Sequence, residues 1–136
     1  MRTSLNERRI AAVAAVGFLG LSVFQLALAL GVPWGRAAWG GVHRELPLEL
    51  RIGSAVALFV WLGSAALILR RVGYWGPAHP SRLLRKSTWL LAGVLSLGSI
   101  MNFASSSPWE RFGWGPYALG LAVLTFTIAR SHETHD

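Results

Sequence analysis

Few side chains in this 136-residue sequence could do chemistry, and the missing types narrow the field first. There is no cysteine, which excludes disulfides, thiolate metal sites and cysteine nucleophiles. Nor is there a glycine-rich phosphate loop, a serine nucleophile with a paired base, or a heptad array. The acid–base candidates are His43, Arg44, Glu45 and Glu49 in one segment, and Glu110 with Arg111 in another. A histidine beside carboxylates could move protons or hold a cation. Both groups lie between apolar blocks, where surface charges are expected to be solvated. The tail His132-Glu133-Thr134-His135-Asp136 lacks the H-E-x-x-H spacing of a zinc site, so it reads as a frayed end. No metal and no cofactor is implied.

The remaining polar candidates are uncharged and helically spaced. Ser96, Ser99, Asn102 and Ser106 fall on one face of the third apolar block, and Ser22 with Gln25 on one face of the first. Ser54, Trp61 and Ser64 share a face of the second. Gln25 and Asn102 each lie shortly before a Pro-Trp sequence. Two readings stand side by side. Gln25, Ser99 and Asn102 could form a polar pocket between helices. Alternatively they serve packing, with small residues letting backbones approach and amides hydrogen-bonding across helices.

The elements that must position these residues are membrane spans. The sequence is 53% hydrophobic and only 14% charged, and its apolar residues form long blocks rather than the scattered pattern of a soluble core. Ile10 to Leu30 carries no charge and makes a helix roughly 32 Å long, matching a hydrocarbon layer of about 30 Å. Gly31 and Pro33 end it. It exceeds the usual signal-peptide core of about 7–15 residues, so it is expected to be retained. The predicted spans are residues 10–30, 48–70, 84–105 and 109–130. The fourth is the weakest: Tyr117 to Ala129 alone reaches only about 20 Å. Ser107-Pro108-Trp109-Glu110 reads as a capping box that starts this helix early, with a bend between Gly113 and Pro116.

The net charge of +7 sits at the ends of these blocks and not on a polar face, which argues for topology charges and against nucleic acid. With the amino end inside, the cytoplasmic segments hold nine of the thirteen basic residues, so both termini are expected in the cytoplasm. Trp34, Trp39, Trp109 and Trp114 then fall near the outer headgroups. No charged residue lies inside an apolar block, which speaks against proton-coupled transport.

One pattern recurs. Pro33-Trp34-Gly35-Arg36-Ala37-Ala38-Trp39-Gly40 and Pro108-Trp109-Glu110-Arg111-Phe112-Gly113-Trp114-Gly115 both read P-W-x-R-x-x-W-G. Each copy follows an odd-numbered span. The repeat predicts two similar hairpins, residues 1–71 and 80–136, related by an axis along the membrane normal. These turns, with the Leu46-Pro47 entry to the second span and Asn102 followed by Ser105-Ser106-Ser107 and Glu110, resemble a group of small four-helix integral membrane proteins of high-GC bacteria. That group is usually described only as uncharacterised, of the domain-of-unknown-function type. The resemblance covers most of the chain and implies the four-span layout, with no activity attached.

The sequence therefore predicts an all-α, single-domain, four-helix bundle in the cell membrane, whose partners are the bilayer and a second copy or other membrane subunits. The first functional expectation is a structural, interaction or accessory subunit. The alternative is a passive channel or carrier for a small neutral or hydrophobic solute with an outward-facing polar site. An intramembrane lipid-modifying enzyme ranks last. The candidate residues are Gln25, Ser99 and Asn102 for the pocket, and Trp34, Arg36, Trp39, Trp109, Glu110, Arg111 and Trp114 for the outer-loop motif.

Overall fold

The computed structural model describes residues 3–77 and 80–131. The tail at 132–136, read above as a frayed end, lies outside the described residues. Four helices form an antiparallel bundle: α1 (Leu5–Ala29), α2 (Leu48–Arg71), α3 (Arg82–Ala104) and α4 (Gly115–Arg130). A π-helical turn, Glu110–Trp114, leads into α4. Each helix, with that turn counted in the fourth, is long and apolar enough to cross a membrane. Large side chains such as Val16, Phe59, Leu90 and Ile100 face outward, as lipid contact requires.

Local signals explain the helix boundaries. α1 begins five residues before its apolar block. The Ser4 hydroxyl accepts from the Glu7 N–H (3.1 Å), and the Glu7 carboxylate accepts from the Ser4 N–H (2.9 Å), a reciprocal capping box. It ends in a Schellman motif: Gly31 sits at φ +94°, and the Val32 N–H returns to the Ala27 carbonyl at 3.0 Å. α2 ends the same way through Gly73, with the Tyr74 N–H on the Leu69 carbonyl. Pro47 caps α2 from the extended region and is not its first helical residue. The Ser81 hydroxyl caps α3 through the Leu84 N–H.

The fourth span departs from the expected capping box. The Glu110 N–H does reach the Ser107 hydroxyl, at 3.4 Å, but the Glu110 carboxylate does not return to the Ser107 backbone. The Ser105 hydroxyl takes the Ser107 N–H instead. Pro116 has no N–H to give the Phe112 carbonyl. The chain absorbs that gap by widening into the π turn, where the Gly115 N–H reaches back to Glu110 O.

α1 packs along α2 and α3 along α4, while the two hairpins meet mainly through α1 and α4. Glycine makes that second contact possible. A Cβ at Gly17 would lie 2.6 Å from Leu121 Cδ2, and one at Gly20 would lie 2.7 Å from the Tyr117 hydroxyl. That hydroxyl donates to the Gly17 carbonyl at 2.7 Å. The apolar core fills the half of the bundle nearer the termini, with Ala14 and Phe18, Ile68, Leu95, and Leu121 and Ile128 from the four helices in turn.

The buried positions recur between the hairpins. Ala11, Ala14, Ala15, Phe18 and Ser22 in α1 have buried counterparts 77 residues on, at Thr88, Leu91, Ala92, Leu95 and Ser99. Ser64, Ala65, Ile68, Arg71 and Val72 have theirs 57 residues on, at Leu121, Ala122, Thr125, Ile128 and Ala129. The two P-W-x-R-x-x-W-G segments do not share this equivalence. The first forms two short turns, Gly35–Ala37 and Trp39–Gly41, whereas the second is helical from Pro108 onward.

Candidate functional site

The site lies at the end of the bundle opposite the termini, beneath the loop that joins α1 to α2. That loop is seated on the helices. Leu28, Ala38 and Leu46 form a small apolar cluster under it. Trp39 takes a left-handed backbone, φ +52°, uncommon for a bulky residue. Its indole Nε1 donates to the Ser54 hydroxyl at 3.0 Å, and its ring covers Gly53, where a Cβ would approach to 3.0 Å. Positive φ at Gly40 and Gly41 then turns the chain towards the second hairpin.

A clasp joins the loop to that hairpin. Glu110 Oε1 accepts from the Gly40 N–H at 3.1 Å, and its other oxygen accepts from the Ser105 hydroxyl. The Ser107 hydroxyl donates to the Arg36 carbonyl at 2.6 Å. Glu110 is only 8% exposed. The expectation that the outer-loop charges are solvated is therefore corrected for this residue. The loop folds over Glu110 and supplies a backbone donor, and the neighbouring Ser105 hydroxyl supplies the other, in place of the water a buried carboxylate would otherwise require. His43, Arg44, Glu45 and Glu49 do lie exposed.

Gln25 and Asn102 line one cavity of about 200 Å³ at the centre of the bundle, together with Glu110, Phe24, Trp61 and Trp114. Neither amide side chain makes a hydrogen bond to the described residues. Gln25 Oε1 is buried with no partner. Ser99 stands apart: its hydroxyl donates to the Gly115 carbonyl at 2.9 Å and ties α3 to α4. Ser96 and Ser106 are exposed, so the polar face expected along α3 does not point into one space. The Ser22 and Ser64 hydroxyls bond back to their own helices, at Phe18 and Val60.

Two further spaces adjoin the central cavity and share walls with it. Between α1 and α4 lies a larger aromatic cleft of about 630 Å³, lined by Trp34 and Arg36 from the first P-W segment and Trp109 and Trp114 from the second. Tyr117 and Phe24 complete it. The Phe24 and Trp114 rings, with centroids 4.6 Å apart, border both spaces. On the opposite side, Asn102 and Glu110 also border an open, more polar recess of about 540 Å³ beside Trp39 and Ser106. Arg111 is exposed and donates from Nε to the Ser105 carbonyl at 3.1 Å. Of the ten candidates, Gln25, Asn102, Glu110 and Trp114 meet at the central cavity. Trp34, Arg36 and Trp109 line the adjoining cleft, and Ser99, Trp39 and Arg111 brace the structure around them.

In the sequence alone Ser107 reads only as a helix cap, and no site role is assigned to Ser105 or to the Gly40-Gly41 pair. The glycine pair after Trp39 does signal a positive-φ turn. The role of Ser107 across the clasp carries no local signal, because its partner Arg36 is about seventy residues away. No protein-family model, curated protein or solved structure matches the chain.

Proposed function

We propose that this protein is a solute-binding membrane protein, acting as a carrier or an accessory subunit, with its site in the central cavity between the hairpins. The observation that carries this reading is the pair of unpartnered amides, Gln25 and Asn102, on one cavity. A packing role would pair them with one another or with neighbouring backbone, and the Gln25 oxygen, buried and unsatisfied, costs free energy as it stands. Left open, they suit a ligand with both polar and apolar parts. The apolar core beneath the cavity favours a site open towards one end over a continuous pore. The matching buried registers of the hairpins support two related halves with the site at their interface, where such folds commonly bind.

Gln25→Leu and Asn102→Leu separate the two roles. Each variant is expected to leave the unfolding midpoint in detergent unchanged or raised, because it removes an unpaired polar group at similar volume. Each should weaken binding of benzyl alcohol, a small neutral amphiphile, by at least about tenfold. A lowered midpoint with unchanged binding would show that the amides serve packing.

A groove between α2 and α3 favours a second, compatible reading. It is about 250 Å³, almost wholly apolar, and lined by Val60, Gly63, Leu67, Leu90 and Val94. A partner helix in this groove would make the protein an accessory subunit, with its own cavity as the regulated site. Crosslinking from Gly63 to another chain checks this, and lipid-only adducts there would count against it.

The orientation proposed is a cell membrane with both termini cytoplasmic. Arg8, Arg9, Arg70, Arg71, Arg82, Arg85, Lys86 and Arg130 cluster at the terminus end, which supports it. The chain has no cysteine, so a single Arg36→Cys variant gives a clean probe. An impermeant maleimide should label it in intact cells and should not label Arg82→Cys. The reverse pattern would invert the orientation.

A further inference from the structure

The polar and aromatic groups around the central cavity share one electrostatic character. Glu110 is buried, and its carboxylate is held by the Gly40 N–H and the Ser105 hydroxyl. Both donors are neutral, so they stabilise the carboxylate without cancelling its charge. Among the described residues no cation stands within ion-pair distance of it. The two nearby guanidinium groups are exposed and turn to carbonyls. Arg36 Nη1 donates to Gly41 O and Val42 O at 3.1 and 3.2 Å, and Arg111 Nε donates to Ser105 O. Arg36 borders the aromatic cleft and not the central cavity, and Arg111 borders neither.

The other polar groups add acceptors. Gln25 Oε1 is a buried acceptor with nothing donating to it, and the Asn102 amide is also unspent. Phe24, Trp61 and Trp114 line the same space, and aromatic faces attract cations. An anion in this cavity would meet a fixed carboxylate, and a purely apolar ligand would leave the Gln25 oxygen unpaired. A protonated primary amine has three N–H donors and one positive charge. Glu110, Gln25 and Asn102 supply three acceptor groups and one negative charge.

We infer that the cavity takes a small organic ammonium ion, a protonated primary amine carrying a single ring or short aliphatic body. This rests on the solute-binding reading above and adds the charge of the ligand to it. The ammonium group sits among Glu110, Gln25 and Asn102. The apolar body lies within the same cavity against the Phe24, Trp61 and Trp114 rings. The cavity of about 200 Å³ limits the ligand to a single ring or short aliphatic body.

The test compares benzylammonium, benzyl alcohol and benzoate, which share a ring and differ in charge. Calorimetric titration uses the full chain in nanodiscs, with empty nanodiscs titrated in parallel to remove membrane partition. Benzylammonium is expected to bind about tenfold more tightly than benzyl alcohol, and benzoate to give no heat beyond the empty discs. Glu110→Gln keeps an acceptor for Gly40 and a polar partner for Ser105 while removing the charge. It should bring benzylammonium within about twofold of benzyl alcohol. Should that variant fail to fold, the ratio in the unaltered protein decides alone. Equal affinities for the amine and the alcohol, or a preference that survives Glu110→Gln, overturn the charge assignment and leave the solute site standing. Absence of binding by all three probes overturns the assignment and the underlying reading together.

Discussion

Replacing Gly41 with valine is expected to open the clasp between the hairpins and destabilise the protein by about 2–4 kcal/mol. Two costs combine. Gly41 sits at φ +74°, where a β-branched residue is strained. Its new Cβ would also lie 2.8 Å from Ser107 Cβ and 2.9 Å from the Arg36 carbonyl. Those groups belong to the Ser107–Arg36 hydrogen bond, so relief of the clash breaks the contact that holds the loop down. Gly40 is the matched control. It has a similar φ of +82°, but nothing lies within 4 Å of an added Cβ. Gly40→Val should therefore cost only the backbone strain, about 1–2 kcal/mol. Unfolding midpoints in a detergent titration check the pair. Equal losses at both positions would mean that strain alone matters and that the clasp contributes nothing.

Gly20→Val is expected to cost about 1–2 kcal/mol by breaking the Tyr117 contact between α4 and α1. The added side chain displaces the Tyr117 hydroxyl, which lies 2.7 Å from the Cβ position and donates to the Gly17 carbonyl. Lipid gives helices no hydrophobic drive to associate, so close packing and hydrogen bonds must hold this seam. Gly93→Val is the control, since its Cβ would meet nothing within 4 Å, and it should stay within about 0.5 kcal/mol. The effect should reach the site, because Tyr117 packs edge-on against Trp114 with ring centroids 5.2 Å apart. Tryptophan emission should shift in Gly20→Val and not in Gly93→Val. A silent Gly20→Val would show that the Tyr117–Gly17 contact contributes nothing to holding the hairpins together.

Both predictions concern contacts between hairpins, where the bundle has least redundancy. Each hairpin is zipped along its full length, but the halves meet along a glycine-notched α1–α4 seam, a lighter α2–α3 contact and the loop clasp. The cavity lies between those fastenings. A ligand bridging Gln25 on α1 and Asn102 on α3 would add another, so binding at the site and cohesion of the halves are coupled. Ligand should raise the unfolding midpoint by mass action.

The sequence by itself determined the number of helices and most of their ends. Uninterrupted apolar blocks leave the backbone no alternative to helix in lipid, and Gly31, Gly73 and the Ser4 and Ser81 caps are local signals. It also singled out Gln25 and Asn102, because helical spacing and depth depend only on position along a helix. Tertiary structure alone decided what those residues face. Ser99 shares their face by spacing, yet α4 approaches closely enough to take its hydroxyl. Glu110 reads as a solvated loop charge, yet a loop about seventy residues away folds over it and supplies one of its two donors, the Gly40 N–H. The repeated P-W-x-R-x-x-W-G turns looked equivalent, yet one is irregular and the other helical. Pro116 and the three-residue connection from α3 force the second into a π turn, whereas the longer first loop is free to fold back as a cap. Burial of a charge and convergence of amides are properties of pairs distant in sequence, and no local pattern encodes them.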